Sequence, residues 1–95
     1  MTTNQVTIEI PSPLRRFTDN KAEIELQSAA SVQQALAHLV QEFPALRHQL
    51  LAKDGELFKF IGVFVNGNDI RQLADAATAV RGGDTISLVP AIAGG

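Results

Sequence analysis

Cysteine, tryptophan and tyrosine are all absent from this 95-residue sequence, and basic residues are few. The lack of cysteine excludes disulfide bonds, thiolate catalysis and cysteine-bound metal, and no side chain could carry a persulfide. Eight Lys and Arg residues stand against ten Asp and Glu residues, which argues against a nucleic-acid partner. No apolar run approaches the roughly 18 residues of a membrane span, so we expect no membrane partner either.

The length allows one small domain, and 45% hydrophobic with 19% charged residues is typical of a globular chain. The amino terminus lacks the basic segment and apolar stretch of an export signal, so we expect a cytoplasmic protein. His38 and His48 have no other ligand residues near them in the sequence. We therefore expect both on the surface and predict no metal site.

The first third of the sequence predicts two strands. Apolar and polar residues alternate over 5–10 and again over 21–27, the pattern of half-buried strands that pair antiparallel. The prolines at 11 and 13 end the first strand. We expect the loop 11–20 to fold Leu14 and Phe17 under the sheet.

A helix follows the two strands. Ser31 is a good N-cap, and Gln34 three residues later completes a capping box. Apolar residues at helical spacing then form one stripe as far as Pro44, which ends the helix. A second helical turn is predicted over 45–51, followed by a turn at 53–55.

The remaining sequence predicts a hairpin and a final strand. Residues 57–65 form the strongest strand pattern, and Asn66-Gly67 directly after them is a strong hairpin signal. Ile70 is expected to begin a short return strand, and the Ala-rich segment 73–80 to form a helical turn or an ordered loop. The last strand is predicted over Thr85–Pro90, after a turn at Gly82-Gly83-Asp84.

These elements predict an α+β domain of the order β-β-α-β-β-β. One main helix would cover one face of a mixed sheet of four to five strands, with the chain returning beside its first strand. That is the β-grasp, or ubiquitin-like, arrangement. We expect the domain to span residues 1–90, and residues 91–95 to form a flexible tail.

Strand 57–65 is apolar on both faces, although a single helix can cover only one face of the sheet. The β-branched residues are expected in the core: Ile61, Val63 and Val65. Phe60 and Phe64 would then lie on the open face beside Val89, where exposed aromatic residues would suit a partner interface. Alternatively, the segment 45–56 or the Ala-rich segment covers these rings.

The Gly94-Gly95 tail follows a strand that ends in a proline, and glycine contributes nothing to a core. A side-chain-free arm could enter a narrow cleft of another protein, where ATP would convert the carboxylate to an acyl-adenylate. A sulfur nucleophile could then displace AMP and leave a thiocarboxylate. The alternative is a disordered end with no function, as is common for termini.

Five segments together resemble the ThiS/MoaD family of ubiquitin-like sulfur carrier proteins, and its MoaD-like and CysO-like subgroup in particular. They are Val65-Asn66-Gly67, Arg81-Gly82-Gly83-Asp84, the end Leu88-Val89-Pro90-Ala91-Ile92-Ala93-Gly94-Gly95, the loop Pro11–Arg16 and the step Phe43–Leu46. The resemblance covers nearly the whole chain.

The resemblance implies that the protein is not an enzyme and binds no cofactor. A ubiquitin-activating-type adenylyltransferase and sulfurtransferase would use ATP to adenylate Gly95, which would become a thiocarboxylate. The sulfur would pass to a molybdopterin synthase large subunit, a thiazole synthase or a cysteine synthase type of acceptor. The expected site comprises Gly94 and Gly95, with docking residues Phe60, Phe64, Val89 and Ile92.

Two other functions fit the same residues. In a ubiquitin-like protein modifier, a lysine of a target protein would attack the activated carboxyl group of Gly95. In a non-covalent interaction module, only the face carrying Phe60 and Phe64 would matter. The tail alone does not distinguish the sulfur carrier from the modifier, because both begin with an acyl-adenylate.

Overall fold

The computed structural model describes residues 5–27, 29–50 and 61–90. The strands in these ranges are β1 (Val6–Glu9), β2 (Glu23–Leu26), β3 (Ile61–Val65), β4 (Asn68–Asp69) and β5 (Thr85–Pro90), and the α-helices are α1 (Val32–Glu42) and α2 (Arg47–Leu50). Short 3₁₀ helices occupy Ser12–Phe17, Pro44–Leu46, Ile70–Gln72 and Asp75–Ala77. The turn predicted at 53–55 and the predicted strand residues 57–60 lie outside the described residues.

The described strands form one mixed sheet in the order β2-β1-β5-β3-β4. β5 lies in the centre, parallel to β1 on one side and antiparallel to β3 on the other. The other neighbouring pairs are antiparallel. The predicted mixed sheet, with the chain returning beside its first strand, is therefore confirmed. The boundary between domain 1–90 and tail 91–95 stays a prediction, because residues 91–95 are not described.

The core fills the space between α1 and one face of the sheet. Alternate strand residues are buried, including Val6, Ile8, Ile24, Leu26, Val63, Val65, Ile86 and Leu88, and α1 contributes Val32, Ala35, Leu36 and Leu39. The predicted core positions Val63 and Val65 are thus confirmed. Ile61 is only half-buried but packs against this core.

α1 begins where it was predicted to begin, with one difference at its cap. The Ser31 hydroxyl accepts a hydrogen bond from the Gln34 backbone N–H at 3.2 Å. The Gln34 side chain, however, accepts from the N–H of Ala30 at 2.7 Å rather than from that of Ser31. Just before α1, Ser31 also forms a single antiparallel bridge with Ala79.

The loop predicted at 11–20 contains the 3₁₀ helix Ser12–Phe17. Leu14 is buried and Phe17 packs against the core, as expected. Thr18 is also fully buried, and its hydroxyl lies 3.2 Å from the carbonyl oxygen of Arg15 and 3.0 Å from that of Lys21. This hydroxyl therefore joins the 3₁₀ helix to the residues just before β2.

The predicted hairpin after β3 is confirmed, but its return strand was misplaced. Asn66 and Gly67 both have positive φ, of 51° and 87°, as a two-residue hairpin turn requires. The return strand is the short β4, and Ile70 is a buried residue that opens a 3₁₀ helix. The strand stops because the Asp69 carboxylate accepts from the Arg71 backbone N–H at 2.9 Å and so caps this helix.

Candidate functional site

The start of the central strand β5 is held by a group of hydrogen bonds that we call the turn clasp: Asn66, Arg81, Asp84 and Thr85. The Asp84 carboxylate accepts from the Asn66 side-chain amide at 3.0 Å and from the Arg81 backbone N–H at 2.9 Å. The Asn66 side-chain oxygen accepts from the Thr85 backbone N–H at 2.9 Å. The clasp therefore joins the β3–β4 turn to the turn that begins β5.

The other end of β5 comes directly before the predicted chemical site in the sequence. β5 ends at Pro90, which pairs with Ile61 at the first residue of β3. With about 3.3 Å per residue, this end lies roughly 20 Å from the turn clasp. The predicted site residues Gly94 and Gly95 follow this strand, and like Ile92 and Phe60 they lie outside the described residues.

Phe64 and Val89, which we call the apolar pair, lie together on the sheet face opposite α1. Phe64 is half-buried and Val89 is 49% exposed. A Cβ added to Gly62 would lie 3.3 Å from Phe64 Cε1 and 3.8 Å from Val89 Cβ. The Phe64 ring therefore leans over Gly62 toward Val89, because glycine leaves room for it. This confirms the predicted position of the two side chains, while their docking role stays a prediction.

The sequence left two segments that could cover Phe64, and the described parts of both pack elsewhere. The 3₁₀ helix Asp75–Ala77 in the Ala-rich segment contacts α1. Leu46 and Leu50 belong to the buried core. Neither Phe64 nor Val89 belongs to this core or to the half-buried residues packed against it.

Carboxylates occupy the other half of the same face. Glu9 on β1 and Glu23 and Glu25 on β2 are all exposed, as the alternation predicted for the last two. Glu9 pairs across the strands with Glu23 on one side and with Ser87 on the other. The Ser87 hydroxyl donates to the Glu9 carboxylate at 2.6 Å, which fixes that side chain on the face.

A shallow groove of about 460 Å³ crosses the end of the sheet near Pro90. Glu9, Glu23, Arg15 and Val89 all contribute to its lining. Arg15, in the loop 11–20, is half-buried, and its Nε donates to the Ile10 carbonyl oxygen at 3.0 Å. Arg16 beside it is exposed.

The described residues show little that is typical of a catalytic or metal centre. The side-chain hydrogen bond from Arg71 lowers the pKa of Asp69, whose side chain is half-buried, while that of Arg71 is exposed. Within the described ranges, no three His, Cys, Asp or Glu side chains are grouped to hold a metal ion. His38 and His48 are exposed, as predicted. The helices described here are too short or too polar to cross a membrane.

Comparison with known proteins identifies the family. The model of the ThiS family matches residues 8–95. The chain belongs to the ThiS family. A protein of Archaeoglobus fulgidus provisionally named a sulfur carrier is similar to it, with 39% identity over 77 residues that cover 80% of this chain and 88% of the relative.

Solved structures of similar proteins share the fold. A chain of the Amycolatopsis orientalis BexX/CysO complex has a TM-score of 0.85 and 31% identity, over 95% of this chain and 99% of that one. The small archaeal modifier protein 1 of Methanosarcina acetivorans has a TM-score of 0.86 and 28% identity, over 97% of each chain. The predicted family and β-grasp fold are thus confirmed, and sulfur carriage is the function named for relatives of this ThiS-family chain.

Two features of this ThiS-family chain were missed by reasoning from its sequence. The Asn66-Gly67 and Gly-Asp motifs were interpreted only as turns, although the Asn66 and Asp84 side chains bond to each other. The Glu9–Ser87 contact joins residues from opposite ends of the chain. The sequence offered one signal for this contact. Glu9 and Ser87 are polar residues on the solvent side of two strands that lie side by side in a β-grasp fold.

Proposed function

We propose that this ThiS-family chain carries sulfur as a thiocarboxylate on Gly95. The observation that carries the proposal is the family match, which runs through residue 95 and so includes the Gly-Gly segment. The strand before that segment is the central one of the sheet and is anchored at its far end by the turn clasp. The chain itself would be the carrier and a partner would be the enzyme.

The proposed reaction proceeds in two steps in the active site of a ubiquitin-activating-type partner. A carboxylate oxygen of Gly95 attacks the α-phosphorus of ATP, and pyrophosphate leaves, which gives an acyl-adenylate. A sulfur nucleophile then attacks the carbonyl carbon, and AMP leaves with the bridging oxygen. With hydrogen sulfide as the nucleophile, its proton is lost to solvent and the thiocarboxylate remains on Gly95.

Docking of the partners would use the face that carries the apolar pair, together with Phe60 and Ile92. Val89 and Phe64 support this docking face, because they form a partly exposed apolar surface. Val89 lies one residue before the end of β5, and Phe64 lies on the neighbouring strand β3. The similar chain in the BexX/CysO complex also supports partner binding. The sulfur acceptor would be a molybdopterin synthase large subunit, a thiazole synthase or a cysteine synthase type of enzyme.

Mass spectrometry of the intact protein tests the proposal. The chain is incubated with the activating enzyme of its own organism, ATP and a sulfide source. We expect a mass gain equal to the replacement of one oxygen by sulfur. Deletion of Gly94 and Gly95 should abolish this gain and leave the melting temperature unchanged, because glycine has no side chain to contribute to a core. Sulfur loading of the truncated chain would disprove the proposal.

A second candidate function is that of a protein modifier, favoured by the similarity to the small archaeal modifier protein 1. The same adenylate would then be attacked by a lysine amine of a target protein, with AMP leaving and an isopeptide bond forming. Peptide mass spectrometry of cell extracts would detect targets linked to Gly95. A mass gain on the free chain without such linked peptides favours the carrier, and linked peptides without the mass gain favour the modifier.

A non-covalent module acting only through the face that carries Phe60 and Phe64 makes an opposite prediction. Phe64→Asp would abolish partner binding, whereas deletion of Gly94 and Gly95 would have no effect on the phenotype of the cell. If deletion of the two glycines alone reproduces the loss of the whole protein, the module function is excluded.

A further inference from the structure

The open face of the sheet is divided into two chemically different halves. Phe64 and Val89, the apolar pair, lie on β3 and β5. Glu9, Glu23 and Glu25, which we call the acidic half, lie on β1 and β2. The groove near Pro90 connects the halves, since Glu9, Glu23 and Val89 all line it.

Within the described residues, no ion pair neutralises the carboxylates of the acidic half. None of the five described strands contains a lysine or arginine. Among residues 5–27, 29–50 and 61–90, the ion pair that forms joins Asp69 to Arg71 and does not involve Glu9, Glu23 or Glu25. Arg15 lines the same groove, but its Nε donates to a backbone carbonyl and its side chain makes no ion pair there.

The register also places two of these carboxylates directly opposite each other. Glu9 and Glu23 are paired residues of the antiparallel strands β1 and β2, and like charges at such positions repel. The Ser87 hydroxyl donates one hydrogen bond to Glu9 but carries no positive charge that would offset this repulsion. A cationic group above the face would interact favourably with both carboxylates.

We propose that the acidic half makes this face specific for a partner protein that presents lysine or arginine side chains beside an apolar patch. This inference rests on the proposed function, because a partner that takes up the tail must approach the end of β5. Such a partner would cover the apolar pair and extend across the groove to the acidic half. A second copy fits less well, because its described strands offer the same carboxylates and no cation.

Electrostatic attraction of this kind acts mainly on the rate of encounter, and salt screens it. We therefore expect Glu23→Lys to slow sulfur loading when the activating enzyme is limiting and ionic strength is low. Glu42→Lys is the matched control, because it makes the same change of charge at an exposed position of α1, on the other side of the sheet. A triple variant, Glu9→Gln with Glu23→Gln and Glu25→Gln, removes charge with little change of shape.

At low salt, the initial loading rate should fall about tenfold in Glu23→Lys and several-fold in the triple variant, and should hardly change in Glu42→Lys. The difference should disappear near 1 M salt, where the screening length is about 3 Å. Melting temperatures of all three variants are measured to show that each is folded. The loading reached at long times should equal that of the wild type, since the tail is untouched.

Three results would overturn the inference. Equal rates for Glu23→Lys and the wild type would show that the acidic half is not contacted. Equal slowing by Glu42→Lys would show that only net charge matters. Concentration-dependent dimers that Glu23→Lys dissociates would assign the face to a second copy. If wild-type protein never gains sulfur, the proposed function fails instead, and an NMR titration of the labelled chain with the activating enzyme then tests the face alone.

Discussion

The two ends of β5 differ in how they are held. At its start, Asp84, Asn66 and Thr85 are tied by side-chain hydrogen bonds of 2.9 to 3.0 Å. The backbone N–H of Thr7 adds a bond of 3.0 Å to the Asp84 carbonyl oxygen. At its other end, Val89 is 49% exposed beside a groove, and the strand finishes at a residue with no N–H.

The start of β5 thus fixes where the strand lies, while its other end leads to the residues proposed to react. A tail that enters another protein's active site must leave the domain from a fixed point, or part of the binding free energy is lost in ordering the domain. The turn clasp and the two neighbours of β5 fix that point at a distance from the tail. Changes at the clasp end should therefore reduce stability, while changes at the Pro90 end should reduce function.

The largest expected effect comes from one pair of substitutions along β5. Ile86→Ala deletes a fully buried side chain near the clasp and should lower the free energy of unfolding by about 2–5 kcal/mol. Val89→Ala removes an exposed side chain, and we expect less than about 1 kcal/mol. Urea denaturation measures both. Equal losses would contradict the comparison, because they would mean that Val89 is packed as tightly as Ile86.

The next effect concerns the clasp itself. Asp84→Ala removes the acceptor of the Asn66 amide and of the Arg81 N–H, both at exposed positions where water can take its place, and should cost about 0.5–1.5 kcal/mol. Asn66→Gly removes the partner side chain but keeps a residue suited to a φ of 51°.

A double-mutant cycle of these two substitutions should give a coupling free energy of about 0.5–3 kcal/mol. Sulfur loading of the folded fraction should be unchanged in every variant. A loading defect without a stability defect would show that the clasp takes part in the chemistry.

Much of the fold could be predicted because its signals are local. Alternation identified β1, β2 and β5, and Asn66-Gly67 marked the hairpin through its requirement for positive φ. The return strand was misplaced. Ile70 was predicted to begin it, but β4 covers Asn68–Asp69 and stops where the Asp69 carboxylate accepts from the N–H of Arg71. The alternation pattern does not register such a cap.

Contacts of the candidate site were harder to predict because they join distant parts of the chain. The Asn66–Asp84 bond spans 18 positions and the Glu9–Ser87 bond spans 78. Each residue alone fitted an ordinary turn or a solvated strand face. Phe64 beside Val89 was predicted, because the period of two and the order of the strands were sufficient to place both side chains.

A smaller effect is expected at Gly62, which is paired with Val89 near the Pro90 end of β5. Alanine there would place its Cβ 3.3 Å from both the Val89 carbonyl oxygen and Phe64 Cε1. The carbonyl belongs to the neighbouring strand and cannot move freely, so crowding should outweigh the loss of backbone freedom in the unfolded chain. We expect Gly62→Ala to destabilise by less than about 1 kcal/mol, with NMR showing a displaced Phe64 ring. Increased stability would show that the ring yields easily.

The smallest effect lies at the edge of the sheet, where Asp69 is paired across the strands with Phe64. The Arg71 guanidinium donates to Asp69 at 2.7 Å and lowers the pKa of the carboxyl, as does the Arg71 backbone N–H. Because the folded-state pKa is depressed, the stabilisation is present above the unfolded-state pKa of about 3.9 and is lost as the pH falls through the folded-state value.

Carbon-detected NMR should thus give a titration midpoint for Asp69 that is below its ordinary value. In Arg71→Ala the midpoint should rise only part of the way, since the backbone donor at position 71 remains. Arg71 is 77% exposed, so salt should weaken the shift and the melting temperature should hardly move. A large change of melting temperature in Arg71→Ala would mean that this edge anchors the sheet, as the turn clasp does. The contrast between the two ends of β5 would then be insufficient to explain what stabilises the domain.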